Sequence, residues 1–291
     1  MVANNQSNPI DIEAYGEYET AWCPGCGNFR ILESLKKALS ELGLAPEKIA
    51  LFSGIGQAAK APQYLNCNMF NGLHGRSLPP ATGAKLANEN LVVITESGDG
   101  CNYGEGGNHF LATVRRNPDI TTLVHNNMIY GLTKGQASPT TPQGQVTKAQ
   151  PHGVPSEGFN PVVMAVAMRA GFVARGSVTD PEQLVELMKM GIEHTGYAVI
   201  DILTPCVSFN KINTFQWYKK RCYRLEESYD PTNWESAVIK AAEFGDTIPT
   251  GVIYKNSRPA FRTKIPATEI GPLAERMVDM EKVRELLHSF A

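Results

Sequence analysis

Two oxygen-bearing side chains stand where they could hold a small, hard cation. Asp99 lies between glycines in Gly98-Asp99-Gly100, and Asn127 closes the pair Asn126-Asn127, 28 residues further on. Mg2+ takes near-octahedral oxygen ligation, usually one or two protein oxygens together with phosphates. Asp99 offers a carboxylate and Asn127 an amide oxygen, and a turn after Asn127 can aim the carbonyl of Ile129 inward. A diphosphate and a water would fill the remaining positions. The flanking glycines let backbone N–H groups approach phosphate, and a helix starting just past the turn adds partial positive charge. Asn127 reads as the ligand and Asn126 as structural. A lone Gly-Asp-Gly is ordinary turn chemistry; the pairing of two such loops carries the reading.

The second constellation is made of thiols. Trp22-Cys23-Pro24-Gly25-Cys26-Gly27 places two of them in one tight turn, able to face a common centre. A dithiol oxidoreductase, a structural zinc and an iron–sulfur cubane all use such a turn. The first normally opens a helix after a strand, and here only polar sequence precedes it. Zinc needs two further thiols or imidazoles. A cubane needs four thiolates, which Cys67 and Cys206 could complete once the chain is folded. Inert buried cysteines are the bland alternative. Cys101 reads as a packing residue, and Cys222, in the basic run Lys219 to Arg224, as solvated surface.

These residues need elements to position them. Ile31, Leu32, Leu35, Ala38, Leu39 and Leu42 recur at helical spacing and predict an amphipathic helix ending at Gly43. Strands are expected at Ile49–Phe52, Leu91–Thr95, Ile120–Val124, Phe172–Arg175 and Ala198–Leu203. Helices are expected at Gly107–Arg116, Pro161–Ala170 and Pro181–His194. Continuous apolar strands separated by helices imply an α/β fold, a doubly wound and mainly parallel sheet covered on both faces. In such sheets ligands sit beyond the carboxyl ends of the strands. Gly54-Ile55-Gly56, Gly98 to Gly100, Asn126-Asn127 and Thr204-Pro205-Cys206 each follow a strand directly. Gly135 to Gly158 has no period and reads as a long functional loop. Beyond Phe209 the alternation stops. One helix near Trp234 to Phe244 and an amphipathic terminal helix from Pro272 to Phe290 form an extension packing on the main domain or a partner. The expected organisation is an N-terminal arm over 1–20, the main domain over 21–210 and a C-terminal extension over 211–291.

Composition narrows the function classes. The 291 residues carry 27 Lys plus Arg against 29 Asp plus Glu. This near-neutral balance argues against nucleic acid as a partner, since backbone binding relies on clustered basic residues. The apolar stretch Val162 to Met168 is far shorter than the ~20 residues that span a bilayer, so no membrane is expected. Met1 to Pro9 is polar and lacks the basic and apolar regions of a signal peptide. A cytoplasmic protein is expected, and its six Cys read as ligands, redox thiols or core residues rather than a disulfide framework.

The Asp99 and Asn127 spacing, followed by Tyr130-Gly131-Leu132-Thr133, resembles the diphosphate motif of thiamine diphosphate enzymes. Taken with Trp22 to Gly27, Ser53 to Gly56, Leu73-His74-Gly75-Arg76, Asn126 to Gln136 and Thr204 to Asn210, the chain resembles the β subunit of 2-oxoacid:ferredoxin oxidoreductases over about Trp22 to Asn210. The resemblance implies a fold of the thiamine diphosphate-binding type. It also implies thiamine diphosphate and Mg2+ held by Gly54, Ile55, Gly56, Gly98, Asp99, Gly100, Asn127, Ile129, Tyr130, Gly131, Leu132 and Thr133, and one 4Fe-4S cluster. The implied reaction converts a 2-oxoacid, CoA and oxidised ferredoxin to acyl-CoA, CO2 and reduced ferredoxin. The carboxylate that activates the aminopyrimidine would come from an α subunit, which makes that partner obligatory.

One departure stands out. The family pattern places a cluster cysteine directly after Gly-Ile-Gly, where this sequence has Gln57. Cys23, Cys26 and Cys206 are then expected as ligands, with Cys67 as the fourth. Lys60 matches a family position associated with the distal carboxylate of longer 2-oxoacids, and Leu132 one lining the same pocket, which points to 2-oxoglutarate. His74 and Arg76 are expected to line the diphosphate or substrate pocket, and His109 to pack on its helix. Two other readings stay open: a thiamine diphosphate-dependent non-oxidative decarboxylase component, and a zinc-binding assembly subunit without chemistry.

Overall fold

The computed structural model describes residues 8–269 and 271–290. Most of the polar start Met1 to Pro9, and with it the beginning of the expected arm, lies outside the described residues. Among the described residues eight strands form one sheet: β1 (Ile49–Ser53), β2 (Asn68–Asn71), β3 (Val92–Gly98), β4 (Ile120–Asn126), β5 (Phe172–Ser177), β6 (Tyr197–Leu203), β7 (Cys222–Arg224) and β8 (Ile248–Lys255). Their spatial order is β2-β1-β3-β4-β6-β5-β8-β7. Every neighbouring pair is parallel except β5 with β8. The apolar runs in β1, β4 and β6 follow from this, because all of their residues are buried.

Helices cover both faces. On one, α1 (Asn28–Glu41) buries Ile31, Leu35 and Leu39 against Leu51, Ile94 and Ile200 of the sheet. The helix over Pro181–Glu193, numbered α5, joins the same core through Leu184 and Met188. The opposite face carries α2 (Leu78–Ala87), α3 (Gly107–Arg116), α4 (Pro161–Ala167) and α7 (Trp234–Ala242), which pack on Phe52, Val93, Val124 and Val199. A short α6 (Phe215–Arg221) precedes β7. Each fully buried Leu or Ile stabilises the fold by about 1.5–3 kcal/mol. Asn160 and Asp180 cap α4 and α5, accepting from the amides of Val163 and Gln183, with Pro161 and Pro181 at the first helical positions.

The order of strands positions the site. β1, β3, β4 and β6 are consecutive neighbours, all parallel. The loops opening at Gly54, Asp99, Asn127 and Thr204 therefore leave one edge of the sheet side by side, about 4.8 Å from strand to strand.

Four expectations need correction. Beyond Phe209 the chain does not leave the sheet, since β7 and β8 complete it. Pro249 and the left-handed Gly251 (φ 134°) interrupt the strand pattern of β8, and its register against β5 shifts at Val173/Ala174. Cys222 opens β7 half-buried rather than solvated, and burial pushes its thiol up to about 11. The terminal helix is confined to α8 (Met280–His288), because Asp279 is extended and caps it, accepting from the amides of Glu281 and Lys282. Only a short 3-10 turn, Leu273–Glu275, forms before it. Similarly α4 stops at Ala167, and Arg169 takes a left-handed turn (φ 55°).

No residue of α8 is buried. Deleting residues 277–291 should therefore leave the melting temperature unchanged within a degree or two, whereas ending the chain before β8 uncovers the edge of β5 and should give insoluble protein. A melt of the truncated chain lowered by ten degrees or so would contradict this.

Candidate functional site

The Gly-Asp-Gly loop carries its carboxylate completely out of water. Asp99 is 1% exposed. Its Oδ2 accepts from the hydroxyls of Ser138 (2.5 Å) and Thr140 (2.6 Å). The Thr140 hydroxyl bridges onward to Asn126 Oδ1 (2.9 Å), and the Asn126 amide donates to Asp201, which also accepts from the Tyr103 hydroxyl. Burial, which these donors offset only in part, pushes the Asp99 carboxyl up to about 6. Asn126 thus turns into the protein, as expected of a structural residue. Ser138 and Thr140 come from the long loop and were not foreseen. Their one sequence signal is the cluster Ser138-Pro139-Thr140-Thr141-Pro142 within a stretch otherwise lacking period.

Asn127 faces the other way. Its Oδ1 accepts from the amide of Ile129 (3.1 Å), and Met128 between them is left-handed (φ 57°). The Thr141 hydroxyl holds the Met128 carbonyl (2.7 Å), and the Asn210 amide holds the carbonyl of Asn127 (3.1 Å). Past Asp99, Gly100 to Glu105 form a π-helical turn leading into α3. A Cβ on Gly100 would lie 2.2 Å from the Tyr130 ring, so glycine is required where these two loops meet.

One cavity at the sheet edge is lined by Ile55, Gly56, His74, Gly98, Asp99, Gly100, Asn127, Ile129, Tyr130, Gly131, Leu132 and Thr133, together with four cysteines, Cys23, Cys26, Cys101 and Cys206. Gly54 lies just behind the wall: a Cβ there would come within 2.4 Å of the Cys101 sulfur. Cys101 does more than pack. Its sulfur accepts from the amides of Ile55 (3.4 Å) and Gly75 (3.1 Å), tying three loops together. His74 Nδ1 lies 3.2 Å from Glu105, which also accepts from the Tyr130 hydroxyl. Lys60 and Arg76 are off this wall, Lys60 half-buried and Arg76 exposed. His109 is half-buried on α3.

The structure brings three of the four expected thiols together. The Cys26 amide donates to the Cys23 carbonyl (3.0 Å), closing the turn, and the Ser208 hydroxyl reaches the Cys23 sulfur (3.2 Å). A Cβ on Gly27 would fall 1.9 Å from Thr204 Oγ1, so only glycine lets the Cys23 turn seat against the Cys206 loop. Burial, with Cys206 and Cys23 nearby, pushes the Cys26 thiol up to about 11. Cys67 is elsewhere. It packs against the α1 side of the core, near the Leu51 backbone and Glu96, with its thiol pushed up to about 12 by burial. Gln57 lines the cavity in its stead: the Trp22 indole donates to its carbonyl (2.7 Å), and its side-chain oxygen is buried with no hydrogen-bond partner. Asn28, beside this cavity, contacts His125 (2.9 Å), which pairs with buried Glu96 (2.8 Å).

Two family models match. One, for the C-terminal, thiamine pyrophosphate-binding domain of thiamine pyrophosphate enzymes, covers residues 53–202. The other, for the C-terminal part of the pyruvate ferredoxin oxidoreductase β subunit, covers 206–269. A 2-oxoacid:ferredoxin oxidoreductase β subunit from Aeropyrum pernix is 43% identical over 285 residues, spanning 92% of each chain. The chain belongs to this family of β subunits. A relative from Saccharolobus solfataricus is 45% identical over 248 residues, spanning 81% of each. A solved 2-oxoglutarate:ferredoxin oxidoreductase from Magnetococcus marinus, with 2-oxoglutarate, coenzyme A and succinyl-CoA bound, superposes with a TM-score of 0.89 at 34% identity and 97% coverage of both chains. This β subunit is thus part of a hetero-oligomeric oxidoreductase, with an α subunit as its partner, and its sheet is the expected thiamine diphosphate-binding domain. No helix among its described residues is long and apolar enough to cross a membrane.

Because its folded value near 6 exceeds the ordinary 3.8, Asp99 keeps a proton in the folded state that the unfolded chain has already lost. Stability therefore falls as pH rises from about 4 to about 6, by about 3 kcal/mol if the carboxylate stays uncompensated. Asp99→Asn should raise the melting temperature of the ligand-free protein by several degrees at pH 7 and change it little at pH 4. An equal or lower melt at pH 7 would refute the burial argument.

Proposed function

We propose that this β subunit holds the thiamine diphosphate, Mg2+ and 4Fe-4S cluster of a cytoplasmic, CoA-dependent 2-oxoacid:ferredoxin oxidoreductase acting on 2-oxoglutarate. The observation that carries the reading is one cavity whose lining combines Asp99, Asn127 and Ile129 with four cysteines, Cys23, Cys26, Cys101 and Cys206. The donor sets fit both groups. Asp99 is a buried carboxylate short of compensating charge, and Mg2+ favours such a ligand. Gln57 belongs to the same lining, its side-chain oxygen buried and without a hydrogen-bond partner.

Asp99, Asn127 and the Ile129 carbonyl would hold the metal, while Gly98 and Gly100 leave room for backbone N–H groups to meet the diphosphate. Tyr130, Gly131, Leu132 and Thr133 line the space beyond. Thiamine diphosphate supplies the electron sink for cleaving CO2 from the 2-oxoacid. Cys23, Cys26 and Cys206 would hold the cluster, which would supply one-electron transfer towards ferredoxin. The α subunit would contribute the missing carboxylate at the aminopyrimidine. The likeness to the Magnetococcus marinus enzyme, which has 2-oxoglutarate bound, supports the substrate preference; Lys60, on the short helix that follows Gln57 and off the cavity wall, is the cation this reading assigns to the substrate. A lysine ammonium can pair with the second carboxylate of 2-oxoglutarate, which pyruvate lacks.

The αβ complex, purified anaerobically, should contain thiamine diphosphate, iron and acid-labile sulfide and show a brown absorption that bleaches on adding 2-oxoglutarate and CoA. Lys60→Ala should lower kcat/KM for 2-oxoglutarate about 30-fold, the loss of one charge-assisted bond, and leave pyruvate turnover little changed. A colourless complex with stoichiometric zinc would support an assembly subunit. CO2 release without electron transfer would support a non-oxidative decarboxylase.

A further inference from the structure

β3 and β4 carry a buried polar relay that has no part in holding the metal or the diphosphate. Glu96 in β3 is 0% exposed and His125 in β4 is 1% exposed. Their side chains meet beneath the start of α1, His125 Nε2 standing 2.8 Å from Glu96 Oε1. The other ring nitrogen, Nδ1, lies 2.9 Å from the side-chain amide of Asn28, the first residue of α1. Asn28 lines the cavity, and its main-chain N–H, one of the donors that a helix start leaves without an internal partner, donates to the Cys26 sulfur. The relay therefore runs without a break from a carboxylate, whose second oxygen has no partner, to a sulfur of the Cys23 to Cys26 turn.

Fastening α1 to the sheet does not account for it. Apolar residues of similar volume do that with no charge to desolvate, and a buried ionisable pair often stabilises no better than they do. What an apolar contact cannot do is fix the orientation of the Asn28 residue whose amide meets the sulfur. Hydrogen bonds to the ligand sulfurs are among the levers that set the potential of an iron–sulfur cluster, and outer partners of ligands tune a metal centre generally. Resting on the reading above, in which Cys26 binds the cluster, we propose that Glu96 and His125 are positioning residues for that cluster: they hold Asn28 so that its amide keeps donating to Cys26, and thereby set the cluster's potential. An N–H···S bond favours the reduced, more negative cluster, so loosening the relay lowers the potential.

The test uses the anaerobic αβ complex and reads iron content, the midpoint potential by redox titration and the Fe–S(Cys) stretching bands by resonance Raman. Asn28→Ala should keep four irons, shift those bands and lower the potential by about 59 mV, a tenfold change in the one-electron equilibrium. His125→Ala should act in the same direction, and the double variant should go no further than the larger single effect, as for residues in one network. Glu96→Gln, whose amide oxygen still accepts from Nε2, should lie closer to wild type than Glu96→Ala. Thr95→Val breaks a neighbouring buried bond between β3 and β4, from Thr95 to Thr122 (2.8 Å), that leads to no sulfur, and it should leave the potential unchanged. If Asn28→Ala keeps the wild-type potential, or if Thr95→Val shifts it as much, the proposal is wrong. A complex without iron and sulfide would instead overturn the reading of the preceding subsection, and this one with it.

Discussion

A carboxylate withdrawn from water between two glycines governs much of this molecule. Asp99 cannot stay buried without donors, and the donors are the hydroxyls of Ser138 and Thr140. To deliver them, the loop from Gly135 to Gly158 must fold back over the sheet edge, burying Thr141, Gln145 and Val154 on the way. Thr140 passes the constraint to Asn126, Asn126 to Asp201, and Asp201 to Tyr103. Arg175, fully buried nearby, donates to the carbonyls of Ala241 and Pro249 and so fastens α7 and β8 to the same polar interior. All of Asp99's side-chain partners are neutral hydroxyls, which leaves the charge short of a counterion. A divalent cation, as proposed above, would supply what the fold withholds, and the stability forgone in the ligand-free state would become affinity once the site was filled.

The thiol loops and the oxygen loops are not independent. Asn210, four residues past Cys206, grips the carbonyl of Asn127, and the Thr204 amide donates to Asn126. On the other side Asn28, at the start of α1 behind Cys26, reaches His125 and through it Glu96 in β3. Each loop is thus positioned by strands that belong to the other centre. The Cys206 loop is tied to the Asn126-Asn127 turn by one backbone bond, from Thr204, and by the buried Asn210 side chain.

Much of this was legible in the chain. The glycines after β1 and β3 and the asparagines after β4 follow apolar runs whose period is unambiguous, so their place at a sheet edge could be argued from local pattern alone. Cys67 against Gln57 could not be. The short 3-10 helix Ala58–Tyr64 folds back along β1 and β3, which leaves Gln57 at the cavity and delivers Cys67 to the core. No spacing rule reports that reversal. Ser138 and Thr140 were equally hidden, since polar loop residues look alike until the carboxylate they serve is placed. β8 escapes a reading of local pattern because Pro249 and Gly251 are turn residues in most contexts, and only its antiparallel pairing with β5 makes them tolerable.

That last strand sets the order in which the protein can be built. β8 lies between β5 and β7, yet it is among the last elements to be translated, ending at Lys255 of 291 residues. Until it emerges from the ribosome, β5 presents a row of unpaired amides and carbonyls to whatever is near. From Ser177, where β5 ends, to Lys255, where β8 ends, the nascent chain carries this open edge, a window in which a chaperone that shields extended backbone would raise the yield of soluble subunit.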